Sequence, residues 1–227
     1  MAFLCTRVKS PDEDDYKTLA RVVQYLRDTT KMTLTFEPDD NPRWWVDSSY
    51  AVHPDMKSHT GIFMSIGKGG GYTASRKQKL NTKSSTEAEL VAIDNAMGQV
   101  LWTRHFLADQ GISVPVTTIY QDNKSTILLS ENGKASSSKR TKHLDVRYYF
   151  VTDCIKRGEV KVAYCPTENM LADFFTKPLQ GAAFRRIRSQ ILNMTFNDTS
   201  ASEVHRSVLD KSKKDEKQCS EQRAAKK

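Results

Sequence analysis

Residues 84–90, Ser84-Ser85-Thr86-Glu87-Ala88-Glu89-Leu90, open the longest helical pattern in the chain, and the order of elements on either side of them decides the fold. A Ser or Thr here caps the first free amides, and acids in the first turn complement the helix dipole. Apolar residues then recur at helical spacing through Ala92 or Ile93, Ala96, Val100 and Phe106 or Leu107, and the pattern runs to about Gly111. One turn back from that stripe lies Glu89. Glu87 is about 200° round the helix from Glu89. Glu89 is therefore expected to face a sheet, and Glu87 to face solvent. A carboxylate on a buried stripe needs compensation. Another carboxylate supplies it only with a cation between the two, and a divalent metal is such a cation.

Upstream of this helix, three short segments read as strands: 43–46, ending at Asp47; 61–66; and 72–79. The run Gly67-Lys68-Gly69-Gly70-Gly71 makes the last two an antiparallel pair, and Asp39-Asp40-Asn41-Pro42 reads as a break before the first. Downstream, a strand at 116–120 ends at Asp122 and a short helix covers 125–130. A polar basic loop follows at 136–140, then a helix at 144–156 stopped by Gly158. A strand at 160–165 is ended by Pro166, and a helical turn at 172–176 is broken by Pro178. Three strands, a long helix, then strands alternating with helices predict an α/β domain. Its sheet has five strands, three antiparallel and then parallel ones, flanked by helices.

The 227 residues suffice for one medium domain with appendages. Mean hydropathy is −0.60, polar enough that part of the chain is expected to lie outside a packed core. Net charge is +8, which points to a polyanionic partner, nucleic acid first. The last 33 residues carry eight Lys or Arg against six Asp or Glu, so the excess lies in the body of the chain. Cys5, Cys154, Cys165 and Cys219 show neither CxxC spacing nor histidines at ligand spacing, which argues against a zinc site or a disulfide framework. The reading is reduced cysteines in an intracellular protein. No apolar run reaches the ~20 residues of a membrane span.

A helix at 11–30 carries an apolar stripe, Tyr16, Leu19, Val22, Val23 and Leu26, with no partner before it. That suggests a chain cut from something larger. The tail from 195 is charged, Ser-rich and poor in aromatics, and reads as disordered.

Asp47 and Asp122 each end an apolar strand, where ligands gather in open α/β sheets. A turn-forming Asp after a strand explains either one equally simply. Asp173, between Leu171 and Phe174-Phe175, reads as a site residue or as an exposed acid near a helix start.

Three blocks stand out around these acids: Val46-Asp47-Ser48; Asn81-Thr82-Lys83-Ser84-Ser85-Thr86-Glu87-Ala88-Glu89-Leu90; and Tyr120-Gln121-Asp122-Asn123-Lys124-Ser125. Two more are Arg140-Thr141-Lys142-His143-Leu144-Asp145-Val146-Arg147-Tyr148 and residues 166–178, which include Leu171-Ala172-Asp173-Phe174-Phe175-Thr176-Lys177-Pro178. Together the five blocks resemble the RNase H domain of Ty1/copia retrotransposons. The resemblance covers roughly residues 1–193. The run Phe3-Leu4-Cys5-Thr6-Arg7 and the helix after it resemble the segment joining reverse transcriptase to RNase H. The implied organisation is a remnant of that connection at 1–38, an RNase H-like domain at 39–178, a basic helix at 179–194 and the tail at 195–227.

The resemblance implies cleavage of the RNA strand of RNA–DNA hybrids during reverse transcription. It implies two Mg²⁺ ions, or Mn²⁺ in their place, held by Asp47, Glu89, Asp122 and Asp173. Two divalent ions about 4 Å apart suit four acids on charge balance alone. One ion would activate a water and the other would stabilise the departing 3′ oxygen. Lys139, Arg140, Lys142 and Arg147 are candidates to grip phosphates, and Asn169 to touch substrate near the cut. A solvated loop and helix face accounts for any one of those cations as well. The implied partners are the hybrid and the reverse transcriptase part of a longer polyprotein, with no membrane. The implied location is cytoplasmic or nuclear, in a retroelement particle if expressed.

One departure is the stretch Tyr164-Cys165-Pro166-Thr167, which lacks the His that many RNase H enzymes carry before the last Asp. His143 sits in a recurrent block but has no evident place at the metals. Two other readings remain: a retroelement remnant that binds nucleic acid without cutting, and a different nuclease on the same fold, such as an integrase or junction resolvase.

Overall fold

The computed structural model describes residues 1–132 and 142–194. In chain order its elements are α1 (Ala2–Arg7), α2 (Glu13–Asp28), β1 (Glu37–Ser49), β2 (His59–Lys68), β3 (Tyr72–Lys77), α3 (Ser85–Asp109) and β4 (Thr117–Gln121). Then come α4 (Lys124–Asn132), α5 (Lys142–Lys156), β5 (Val160–Tyr164), a 3₁₀ turn (Thr167–Asn169), α6 (Asp173–Thr176) and α7 (Gly181–Leu192). The five strands form one sheet in the order β3-β2-β1-β4-β5. β1 pairs antiparallel with β2, and β2 with β3, while β1–β4 and β4–β5 are parallel. This is the mixed sheet expected from the sequence, with β1 at its centre.

Strand alternation assigns the two faces. Trp44, Val46, Ile62, Met64, Ile119 and Val162 pack with Ala92, Ile93, Ala96, Met97 and Val100 of α3 and with Val151 and Cys154 of α5. Phe63 faces the other way, onto Ile187 and Ile191 of α7, with Trp45, Phe174 and Phe175 around them. Fully burying a side chain such as Phe63 contributes roughly 1.5–3 kcal/mol. The helix stripe is as expected up to Val100. Beyond it Phe106 is exposed and stacks on Trp102, while Leu107, the alternative on that stripe, is half-buried.

The break expected at 39–42 is absorbed within β1. The strand begins at Glu37, and its register against β2 shifts between Glu37 and Pro42. Pro42 has no amide to give a ladder, and Asp39 Oδ1 accepts the Asn41 amide at 2.9 Å, so a bulge replaces a turn.

α2 has a capping box between Asp12 and Asp15. It reaches the domain through Tyr25, which meets Phe184 edge-on and receives a hydrogen bond from Arg188. Among the described residues, no helix is long and apolar enough to cross a membrane. The tail expected to be disordered, 195–227, and the basic loop, 136–140, lie outside the described residues.

Candidate metal centre

The parallel register pairs Trp44 with Ile119 and Trp45 with Tyr120. Continued by two residues, it sets Asp47 beside Asp122. Glu89 comes from the second turn of α3, whose N-terminus is fixed by a reciprocal cap: Ser84 Oγ accepts the Glu87 amide at 3.2 Å, and Glu87 Oε2 accepts the Lys83 amide at 2.7 Å. Glu87 is thereby buried, not solvent-facing as its helical angle suggested. Its carboxylate turns back to cap the backbone.

Asp47, Glu89 and Asp122 each offer an oxygen, and these oxygens lie within 4.8 Å of one another. Asp47 is 2% exposed and Glu89 6%. Burial, with the Glu89 charge uncompensated beside that of Asp47, pushes the Glu89 carboxyl up to about 9. Burial likewise raises Asp47 to about 6, helped by the charges of Asp173 and Asp122 and opposed by Lys177 and Thr176. Converging acids, two of them buried and Asp47 alone close to a cation, fit a hard cation with oxygen ligands.

Asp173 is buried as well, at 6% exposure, so the exposed-acid reading is excluded. It does not belong to the close trio. Its Oδ1 accepts a hydrogen bond from Lys177 Nζ at 2.7 Å, and the same amine lies 3.9 Å from Asp47 Oδ2. The Thr176 hydroxyl donates to Asp47 Oδ2. Burial raises the Asp173 carboxyl and Lys177 opposes the rise. Burial works against the Lys177 ammonium, but Asp47 and Asp173 outweigh it and hold its pKa above the ordinary lysine value.

α6 is anchored from three sides. Ser49 Oγ donates to the Thr176 carbonyl at 3.0 Å and Ser75 Oγ to the Phe175 carbonyl at 2.7 Å. Gly61 of β2 lies so close that an added Cβ would sit 2.6 Å from Thr176 Cγ2 and 2.8 Å from the Ala172 oxygen.

Sequence reasoning missed Gln121, which is fully buried. Its Nε2 donates to Glu89 Oε2 at 3.1 Å and to the Val46 carbonyl at 3.3 Å, and its Oε1 accepts the amides of Asp122 and Asn123. A signal was present: Thr117, Ile119 and Gln121 alternate inward on β4. Thr176 and Lys177 were also missed.

Of the candidate substrate contacts, Lys139 and Arg140 lie outside the described residues, as does the side chain of Lys142. Arg147 is tied to Asp94 of α3. Asn169 is exposed at the end of the 3₁₀ turn, whose Thr167 hydroxyl donates to Asp122 Oδ2 at 3.0 Å.

The described residues form one five-stranded mixed sheet flanked by helices. A solved structure similar to it is LC11-RNase H1, isolated from compost, with a TM-score of 0.45 and 14% identity over 60% of this chain and 93% of that one. No family model matches the chain. In sequence it is similar to Pol and Gag-Pol polyproteins of transposons. It is 30% identical over 172 residues to the retrovirus-related Pol polyprotein from transposon TNT 1-94 of Nicotiana tabacum, spanning 75% of this chain and 13% of that protein. It is 30% identical over 192 residues to the polyprotein from transposon RE1 of Arabidopsis thaliana, spanning 80% and 12%. It is 26% identical over 178 residues to the Ty1-LR3 Gag-Pol polyprotein of Saccharomyces cerevisiae, spanning 74% and 10%. The chain thus matches about an eighth or less of the length of these relatives.

Proposed function

We propose that this chain is a retrotransposon ribonuclease H that hydrolyses the RNA strand of RNA–DNA hybrids with Mg²⁺. The observation that carries this reading is the convergence of buried Asp47 and Glu89 with half-buried Asp122, from the ends of β1 and β4 and from α3, with buried Asp173 beside them. Asp47, Glu89, Asp122 and Asp173 would hold the metal, and the metal when bound supplies the positive charge that activates water and stabilises the departing 3′ oxygen.

The chain's own residues do the rest. Gln121 orients Glu89 and the backbone at Asp122. Thr176 fixes one oxygen of Asp47, and Thr167 fixes one of Asp122. Asn169, exposed at the end of the 3₁₀ turn, would touch the substrate near the cut. Selectivity for the hybrid would come from groove shape and the 2′-hydroxyl, not from base sequence. The partner in the longer polyprotein is the reverse transcriptase part, and the place of action is inside the cell, where reverse transcription runs.

The test is cleavage of an RNA–DNA hybrid with Mg²⁺, compared with double-stranded RNA and single-stranded DNA. Hybrid-selective cutting to 5′-phosphate and 3′-hydroxyl ends is expected. Binding without cutting would support the silent remnant, and cutting of DNA would support a different nuclease.

A further inference from the structure

The four acids are not equivalent. Asp47, Glu89 and Asp122 converge on one another, whereas Asp173 is paired with a cation that the chain itself provides. Lys177 Nζ lies 2.7 Å from Asp173 Oδ1 and 3.9 Å from Asp47 Oδ2, so the amine lies between the two acids. It is not a loosely placed surface lysine. It follows Asp173 by one helical turn, and the two residues before it are pinned through their carbonyls by Ser75 and Ser49. Its neighbour Thr176 holds the same Asp47 oxygen.

We propose that Lys177 is a built-in competitor for a divalent cation at the Asp47–Asp173 pair. Without nucleic acid, the chain holds one divalent ion at Asp47, Glu89 and Asp122. The ammonium must leave the pair before a second can enter. This inference rests on the metal-centre reading above. Charge gives the reason. Four carboxylates against one divalent ion and one ammonium leave a single negative charge, so a second divalent ion makes the site positive for as long as the displaced ammonium stays beside it. A phosphodiester brings the negative charge that restores neutrality. A second ion is therefore favoured together with the phosphate, to which the displaced ammonium can turn. Lys177 is thus a positioning residue that ties loading of the site to arrival of substrate.

The test is calorimetric titration of the full chain with Mn²⁺ in the absence of nucleic acid. Wild type is expected to bind one ion. Lys177→Met is expected to bind two, or to gain about tenfold or more in affinity for the second, since a cation beside two buried acids is removed. Lys177→Arg, which keeps the charge, is expected to return to one. If Lys177→Met is weakly folded without metal, its melting temperature should rise with Mn²⁺ more steeply than that of wild type. Unchanged ion number and affinity in Lys177→Met would overturn the inference, as would a loss of stability that Mn²⁺ restores no better than in wild type. If Asp122→Asn abolishes ion binding while Lys177→Met changes nothing, the inference fails and the metal-centre reading stands. If no chain binds Mn²⁺, both fail.

Discussion

Gln121 Nε2 donates to Glu89 Oε2 at 3.1 Å, joining the end of β4 to the second turn of α3 across the candidate centre. The same carboxamide satisfies the Val46 carbonyl and the amides of Asp122 and Asn123, so one buried side chain aligns three segments that carry acids. Replacing it with Leu keeps the bulk and removes every partner. Gln121→Leu should destabilise the fold by roughly 2–5 kcal/mol, from the backbone groups left unpaired. It should weaken metal binding by about 10- to 100-fold, as loss of an orienting group does. Urea unfolding and metal titration check both, and a variant that unfolds and binds metal like wild type contradicts the role.

Asp47→Asn should abolish hybrid cleavage while leaving the fold intact. It removes one charge from a buried group of acids, so in a chelator the variant should melt at the same temperature as wild type or higher. A purified variant that cuts hybrid at close to the wild-type rate would refute the assignment of Asp47.

The pH dependence has a definite sign. Burial raises Glu89 to about 9 and Asp47 to about 6, so the fold favours their neutral forms. The stability this represents is fully present below the ordinary carboxyl range. It is lost as pH rises through about 6 for Asp47 and about 9 for Glu89. In a chelator the melting temperature should therefore fall from pH 5 to pH 9. Millimolar Mg²⁺ should flatten that fall by taking the place of the protons, and Glu89→Gln should remove its upper part. A melting temperature that climbs over the same range without metal would be the opposite result.

Gly61→Ala tests the approach of β2 to α6. An added Cβ would meet Thr176 Cγ2 at 2.6 Å and the Ala172 oxygen at 2.8 Å, and these atoms flank Asp173. The expected cost is about 1–3 kcal/mol of stability, as for overpacking elsewhere. Cleavage should drop in the same variant, because α6 and Asp173 are pushed from the sheet. Full activity at 25 °C would show that α6 has slack that its contacts do not suggest.

What the sequence could disclose depended on how local the cause was. Glu89 was legible because helical spacing places it on the stripe that Ala92, Ile93 and Ala96 continue. The sheet was legible from turn residues and strand lengths. Asp47 and Asp122 were legible as strand ends, but their meeting depends on the β1–β4 register, which no local pattern fixes. Asp173 rested on resemblance alone, and the structure adds its burial. Glu87 was misjudged because its angle on the helix points outward, while its side chain bends back to an amide. Thr176 and Lys177 were missed because the contact that matters joins residues 129 apart. Arg147 looked like a free phosphate ligand, yet it is engaged by Asp94 from a helix 53 residues earlier.

The acids are supplied in chain order, and α6 comes last. Three of them exist once residue 122 has been made, while Asp173 and Lys177 arrive only on a segment that β1 and β3 must then hold in place. A nascent chain, or one ended early by a stop codon or frameshift, passes through a stage that has the first three acids and lacks the fourth. On the proposed reading, such a product could sit on a hybrid without consuming it.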